Sequence, residues 1–226
     1  MSNLYAEFEQ RFPKDEDATF IETGQGRIYS YGDLARTTAR YAGLLRARGV
    51  GKGDRVAVQV GKSPEAIFLY LACLRAGAVF LPMNTAYQRG EVDYIVGDAE
   101  PALVVCAPER EAEMQAIAAE RKVPHVLTLG TAQDGSFIEA AAGEDERFET
   151  TAVDAAEDIA AILYTSGTTG RPKGAMLSHR NLSSNTQALY EVWQFRAGDV
   201  LLHALPIFHA HGLFVATNTQ LWNGGP

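Results

Sequence analysis

The alternation of short β-branched runs with helical-period segments predicts an α/β fold, a mostly parallel sheet covered by helices. Two further observations agree. Glycine and proline stand where one kind of segment gives way to the other. The 226 residues are 46% hydrophobic and 21% charged, the composition of an ordinary globular chain. The sequence shows no internal repeat and no low-complexity tract.

Met1 to Phe20 mixes Glu7, Glu9, Lys14, Asp15, Glu16 and Asp17 with scattered aromatics, so no signal peptide is read there. From Tyr31 to Arg48, Leu34, Tyr41, Leu44 and Leu45 recur at helical spacing, and Gly49 supplies the stop. Arg55-Val-Ala-Val-Gln-Val60 is a strand, and Ser63-Pro64-Glu65 opens an apolar helix through Ala76, with proline where a first helical turn tolerates it. Val79-Phe-Leu81 is a strand closed by Pro82, Glu91 to Asp98 is helical, and Ala102-Leu-Val-Val-Cys106 reads as a strand buried on both faces. Glu109 to Arg121 is helical and Val123 to Leu129 a strand. Gly130 to Thr151 is polar and rich in Gly, Asp and Glu, and is expected to be a loop or a subdomain seam. After the strand Ile159-Ala-Ala-Ile-Leu163, Ser178 is placed as the N-cap of a helix through Leu182, Leu189 and Trp193, which accounts for His179 and Asn181 without a catalytic role. Val200 to Trp222 is long and apolar. Its His203, Pro206, His209, His211, Asn218 and Gln220 make it a buried core or site-lining segment rather than a membrane span.

A formal net charge of −8 excludes a broad basic surface for nucleic acid or anionic lipid, so any bound anion must be held locally. Cys73 and Cys106 sit in apolar stretches without metal-ligand spacing and read as buried thiols of a reducing, cytoplasmic protein. Asp98, Glu100 and the other scattered acids show no paired arrangement and read as a solvated face.

The most informative segment is Tyr164-Thr-Ser-Gly-Thr-Thr-Gly-Arg-Pro-Lys-Gly174. Glycine lets the backbone approach a ligand closely, so successive N–H groups from Gly167 to Gly170 can turn inward as an anion nest. Thr165, Ser166, Thr168 and Thr169 add hydroxyl donors, Lys173 adds a compact positive charge suited to phosphate oxygens, and Pro172 stiffens the chain before it. A plain solvated turn needs neither this length nor the lysine. The segment is not a Walker A loop, because Gly174 rather than a hydroxyl residue follows Lys173.

His209 and His211 lie between Pro206-Ile-Phe208 and Gly212, where the chain bends at both ends and can present a histidine into a cleft. From the residues alone the favoured reading is two partly buried histidines satisfied by backbone partners. Zinc lacks a third ligand there.

Taken with three more segments, the glycine-rich loop resembles the signature of the adenylate-forming superfamily of acyl-CoA synthetases, peptide-synthetase adenylation domains and luciferases. Those segments are Ile28-Tyr-Ser-Tyr-Gly-Asp-Leu34, Leu74-Arg-Ala-Gly-Ala-Val-Phe-Leu-Pro-Met-Asn84 and Leu205-Pro-Ile-Phe-His-Ala-His-Gly-Leu213. Within the superfamily, Leu81 to Tyr87, Ala161 to Tyr164 and His203 to Asn218 look most like malonyl-CoA synthetases.

The resemblance implies an acid–thiol ligase whose substrate carboxylate attacks the α-phosphate of ATP, releasing pyrophosphate, before coenzyme A opens the mixed anhydride. It assigns ATP phosphates to Thr165, Ser166, Gly167, Thr168, Thr169, Gly170 and Lys173, with Mg²⁺ bridging phosphate oxygens, and a place near the substrate carboxylate to His209. It also implies that the chain is the N-terminal part of a larger AMP-binding domain. The adenine, ribose and magnesium contacts and the catalytic lysine of a C-terminal domain would then lie beyond Pro226. Three rivals remain at this point: another acyl-CoA synthetase, a non-catalytic nucleotide- or anion-binding module, and a truncated structural or interaction protein that kept the fold but lost the chemistry.

Overall fold

A computed structural model describes residues 3–165 and 171–226. Its strands are β1 (Thr19–Glu22), β2 (Ile28–Ser30), β3 (Arg55–Gln59), β4 (Val79–Pro82), β5 (Leu103–Cys106), β6 (His125–Thr128), β7 (Ile159–Thr165) and β8 (Lys173–Ser178). The last six form one sheet in the order β6-β5-β3-β4-β7-β8, parallel except for the final antiparallel pair. Strands β1 and β2 form a separate antiparallel ribbon. The mostly parallel sheet that the sequence predicts is present.

Alternation along the strands sets the layers, because successive side chains leave opposite faces. Val56, Val58, Leu103 and Val105 enter one apolar cluster, while Ala57, Val104 and Cys106 enter a second. The first is covered by α2 (Tyr31–Ala47), α3 (Pro64–Ala76) and α6 (Ser136–Ala141), the second by α4 (Arg89–Ala99) and α5 (Glu111–Arg121). Burial on both faces is why these strands read as unbroken apolar runs.

Local chemistry sets the helix starts. The Ser30 hydroxyl accepts from the Asp33 N–H at 3.1 Å, and the Asp33 carboxylate accepts from the Ser30 N–H at 2.9 Å, a reciprocal cap for α2. Ser63 caps α3, followed by Pro64, and every residue of α3 from Glu65 to Ala76 is buried. Both cysteines are buried and free, and burial pushes the Cys106 thiol up to about 12.

Three elements lie outside the reading of the sequence. Helix α1 (Leu4–Glu9) and the ribbon of β1 and β2 occupy an acid-rich stretch to which no element was assigned. Helix α6 forms inside residues 130–151, expected as a loop; its Phe137 is fully buried, with its ring 4.9 Å from that of Tyr41 in an edge-on contact. Toward the end of the chain come α7 (His179–Trp193), a π-helical turn (His211–Thr217) and α8 (Asn218–Asn223). Of Val200 to Trp222, Leu213, Phe214 and Leu221 are buried as its apolar content predicts, but Val200, Leu202 and Leu205 are exposed, so the expected burial does not hold at its start. None of the described helices is long and apolar enough to cross a membrane.

Candidate functional site

The apolar residues of β7 carry the chain from the core to the sheet end, where Thr165 pairs with Lys173, the first residue of β8. The Thr165 hydroxyl reaches the Lys173 carbonyl at 3.5 Å, and both residues are exposed. A threonine and a lysine are therefore paired at the end of a two-stranded ribbon, residue types suited to phosphate oxygens. Ser166, Gly167, Thr168, Thr169 and Gly170 lie outside the described residues. Gly174 has a steric reason: a β-carbon there would sit 2.9 Å from Cγ2 of Ile162 and 3.3 Å from the Tyr164 ring.

Helix α4 meets both flanks of this ribbon. Tyr164 Oη donates to Asp98 Oδ2 at 2.5 Å, and Tyr94 Oη donates to the Pro172 carbonyl at 3.0 Å. Asp98 is exposed, in keeping with its solvated-face reading, and its carboxylate is in addition the acceptor for Tyr164. Burial, then the Asp98 carboxylate, pushes the Tyr164 phenol well above its usual range, which keeps it protonated as a donor. Tyr94 and Asp98 were missed because their partners lie 78 and 66 residues away in sequence.

Beyond β8 the N-cap reading holds. Ser178 Oγ accepts from the Asn181 N–H at 3.2 Å, and Asn181 Oδ1 accepts from the Ser178 N–H at 3.0 Å. His179 is fully buried, where its Nδ1 accepts the Leu4 N–H at 3.1 Å, a structural duty far from catalysis.

The histidine segment divides its roles. His209 is exposed; its Nδ1 accepts the His211 N–H at 3.3 Å, and the two rings lie nearly parallel with centroids 6.4 Å apart. Gly212 is needed for the bend, because a β-carbon there would overlap the Pro206 carbonyl. His203, not singled out as a site residue, is the histidine that lines a cavity of about 1030 Å³, together with Lys62, Phe20, Ile67, Thr217 and Gln220. Its Nε2 lies 2.9 Å from the Gly212 carbonyl and 3.1 Å from Thr217 Oγ1, and Lys62 Nζ donates to the His203 carbonyl at 2.5 Å. Burial holds the Lys62 ammonium and the His203 imidazole below their usual ranges.

Comparison with known proteins gives a consistent result. The family model described as AMP-binding enzyme matches residues 7–226. A feruloyl-CoA synthase of Amycolatopsis sp is 34% identical over 211 residues, 92% of this chain and 40% of that protein. A malonate–CoA ligase of Arabidopsis thaliana is 29% identical over 213 residues, 87% of this chain and 35% of that protein. The crystal structure of ATP-bound MatB from Rhodopseudomonas palustris superposes with a TM-score of 0.94 at 51% identity, covering 100% of this chain and 44% of that one. The chain thus spans less than half the length of each of these relatives.

Proposed function

The chain belongs to the AMP-binding enzyme family, and on that premise we propose that the complete protein is an acid–thiol ligase that adenylates a carboxylic acid with ATP and passes the acyl group to coenzyme A. The observation that carries this reading is the pairing of Thr165 with Lys173 across the two ends of the glycine- and threonine-rich segment.

In the proposed chemistry a carboxylate oxygen attacks the α-phosphorus in line, the bond to the bridging oxygen breaks, and pyrophosphate departs. The thiol of coenzyme A then attacks the acyl carbon and AMP leaves. No protein nucleophile is needed, so this chain's contribution is positioning and charge. Lys173 and Thr165, with Ser166, Gly167, Thr168, Thr169 and Gly170, hold the β- and γ-phosphates. His209 has an exposed imidazole, with no hydrogen-bond partner at Nε2 among the described residues, that can donate toward the substrate carboxylate. Two free, buried cysteines support a reducing compartment, the cytoplasm.

Malonate is the acid we propose, on the motif resemblance and the malonate–CoA ligase relative. A second reading is favoured by the 34% identity to a feruloyl-CoA synthase: a ligase of another acid. Acid- and CoA-dependent AMP formation by the complete protein, measured with malonate, oxalate, ferulate and crotonobetaine, tests both. Preference for malonate supports the first reading, and preference for another acid the second. The absence of AMP formation with every acid would return the protein to the class of nucleotide-binding modules.

A further inference from the structure

Helix α4 touches the phosphate ribbon at two points that belong to its two different strands. Tyr94 and Asp98 are four residues apart and so share one face of the helix. Asp98 accepts from Tyr164, next to Thr165 on β7, while Tyr94 donates to Pro172, next to Lys173 on β8. The rings of Tyr94 and Tyr164 also meet edge-on, with centroids 6.4 Å apart at 86°, and the Arg171 guanidinium lies 5.7 Å from the Tyr94 ring. Behind these contacts Val92, Ile95 and Val96 are buried against the sheet, so the platform that carries both polar groups is itself fixed.

The β7–β8 ladder fixes the separation of Thr165 and Lys173, but among the described residues β7 pairs with β4 only at Ala161, so the ladder alone does not fix where the ribbon end lies. The contacts from α4 supply that constraint, one to each strand, immediately beside the two residues assigned to phosphate. We propose that Tyr94 and Asp98 are positioning residues that hold the ribbon end carrying Thr165 and Lys173 in the place from which it grips the phosphates of ATP. This rests on the phosphate-binding reading above. The inference concerns neither the acid nor the thiol, so its signature is confined to the nucleotide.

The test uses the complete protein. Tyr94→Phe keeps the ring but removes the donor to Pro172; Asp98→Ala removes the acceptor for Tyr164, and Asp98→Asn retains one. Tyr94→Phe and Asp98→Ala are expected to raise the KM for ATP about three- to tenfold, the scale of one hydrogen bond's net contribution, with the KM for acid and coenzyme A unchanged and Asp98→Asn close to wild type. Hydrogen exchange at the amides of Lys173 and Gly174 is expected to quicken in the first two variants. Lys173→Ala is measured beside them. If it raises the KM for ATP while Tyr94→Phe and Asp98→Ala do not, the positioning role is overturned and the phosphate reading stands, whatever happens to the melting temperature. If Lys173→Ala leaves the KM for ATP unchanged, the phosphate reading fails. The exchange rates then decide alone whether α4 holds the ribbon, and unaltered rates overturn that as well.

Discussion

The backbone N–H of Leu4 donates to Nδ1 of His179 across 3.1 Å, joining the first helix to the first turn of α7. Asn3 reinforces the joint, its amide donating to the carbonyls of Leu74 at 2.7 Å and Thr151 at 3.0 Å. The bond to Leu4 requires an unprotonated Nδ1, and burial lowers the His179 pKa to about 4, with the Asp158 carboxylate opposing and the Lys52 ammonium adding to the shift.

This joint is expected to weaken in acid. Above about pH 6.5 neither the folded nor the unfolded imidazole is protonated, and the full contribution is present. Below that pH the unfolded chain takes up a proton that the folded chain refuses, so stability falls until about pH 4, where the folded state protonates too. The loss across this window is up to roughly 3 kcal/mol. Urea unfolding of wild type and His179→Gln between pH 7 and pH 4.5 checks it: the variant's stability should fall less steeply. Parallel pH curves would mean that His179 does not titrate differently in the two states.

Helix α6 is expected to depend on one ring. Phe137 is fully buried and packs edge-on against Tyr41, while its helix is only six residues long and cannot persist without tertiary contacts. Phe137→Ala should cost about 3–5 kcal/mol through lost burial and the cavity left behind. Denaturant unfolding measures it, and a cost below about 1 kcal/mol would show that residues 130–151 do not form part of the core.

The same helix shows where the sequence ceased to be legible. Strands β3, β4 and β5 and helices α2, α3, α5 and α7 announce themselves locally, through β-branched runs, helical periodicity and caps such as Ser63 and Ser178. Helix α6 buries Phe137 and Ala141, with Ile138 and Ala140 packed at the margin, and α1 buries Leu4, Tyr5 and Phe8, in elements of six residues each that are too short for a periodic signal. Their placement is decided by partners far along the chain, such as Tyr41 for Phe137 and His179 for Leu4. At the site, residue types and glycine spacing made Thr165 and Lys173 readable, but the contacts of Tyr94 and Asp98 exist only once α4 lies against the ribbon. The exposure of His209, with His203 instead lining the cavity, is likewise a matter of chain path and not of residue type.

Lys173→Ala in the complete protein is expected to lower kcat/KM for ATP by roughly 1.5–3 kcal/mol, about ten- to a hundredfold, through loss of a charge-assisted contact to phosphate. Its side chain is exposed, so unfolding free energy should move by less than about 0.5 kcal/mol. Steady-state kinetics with ATP varied, alongside a melting curve, checks both halves. Unchanged adenylation would remove Lys173 from the phosphate site.

His209→Ala should separate activity from stability in the same way. The imidazole is exposed and its described partner is the neighbouring His211 N–H, so little folding energy depends on it. The adenylation rate is expected to fall at least tenfold, as for the loss of one donor to a developing charge, while the melting temperature stays within a degree or two. A variant that melts early yet turns over normally per folded molecule would make His209 a structural residue.

Residues 1–226 expressed alone are expected to associate and to form no acyl-CoA. Phosphate contacts neither select adenine nor align a carboxylate, and a misplacement of about 1 Å between reacting groups can cost a hundredfold in rate. The described surface also carries unusual apolar exposure: Leu202 is 91% exposed, Val192 and Val200 are each 74% exposed, and Met176 on β8 is 67% exposed. Among the described residues β8, which carries Met176, is the last strand of the sheet, with no strand paired to its outer edge. Exposed apolar side chains favour association, and an unpaired strand edge is a template for pairing with another chain. Sedimentation velocity on this chain should therefore show concentration-dependent association, reduced by the double substitution Val192→Lys and Leu202→Lys. A monomer at every concentration would show that the exposed edge and apolar side chains are harmless. Robust CoA-dependent AMP formation by the chain, free of any longer species, would place the whole reaction within these residues and contradict the proposed division of the site.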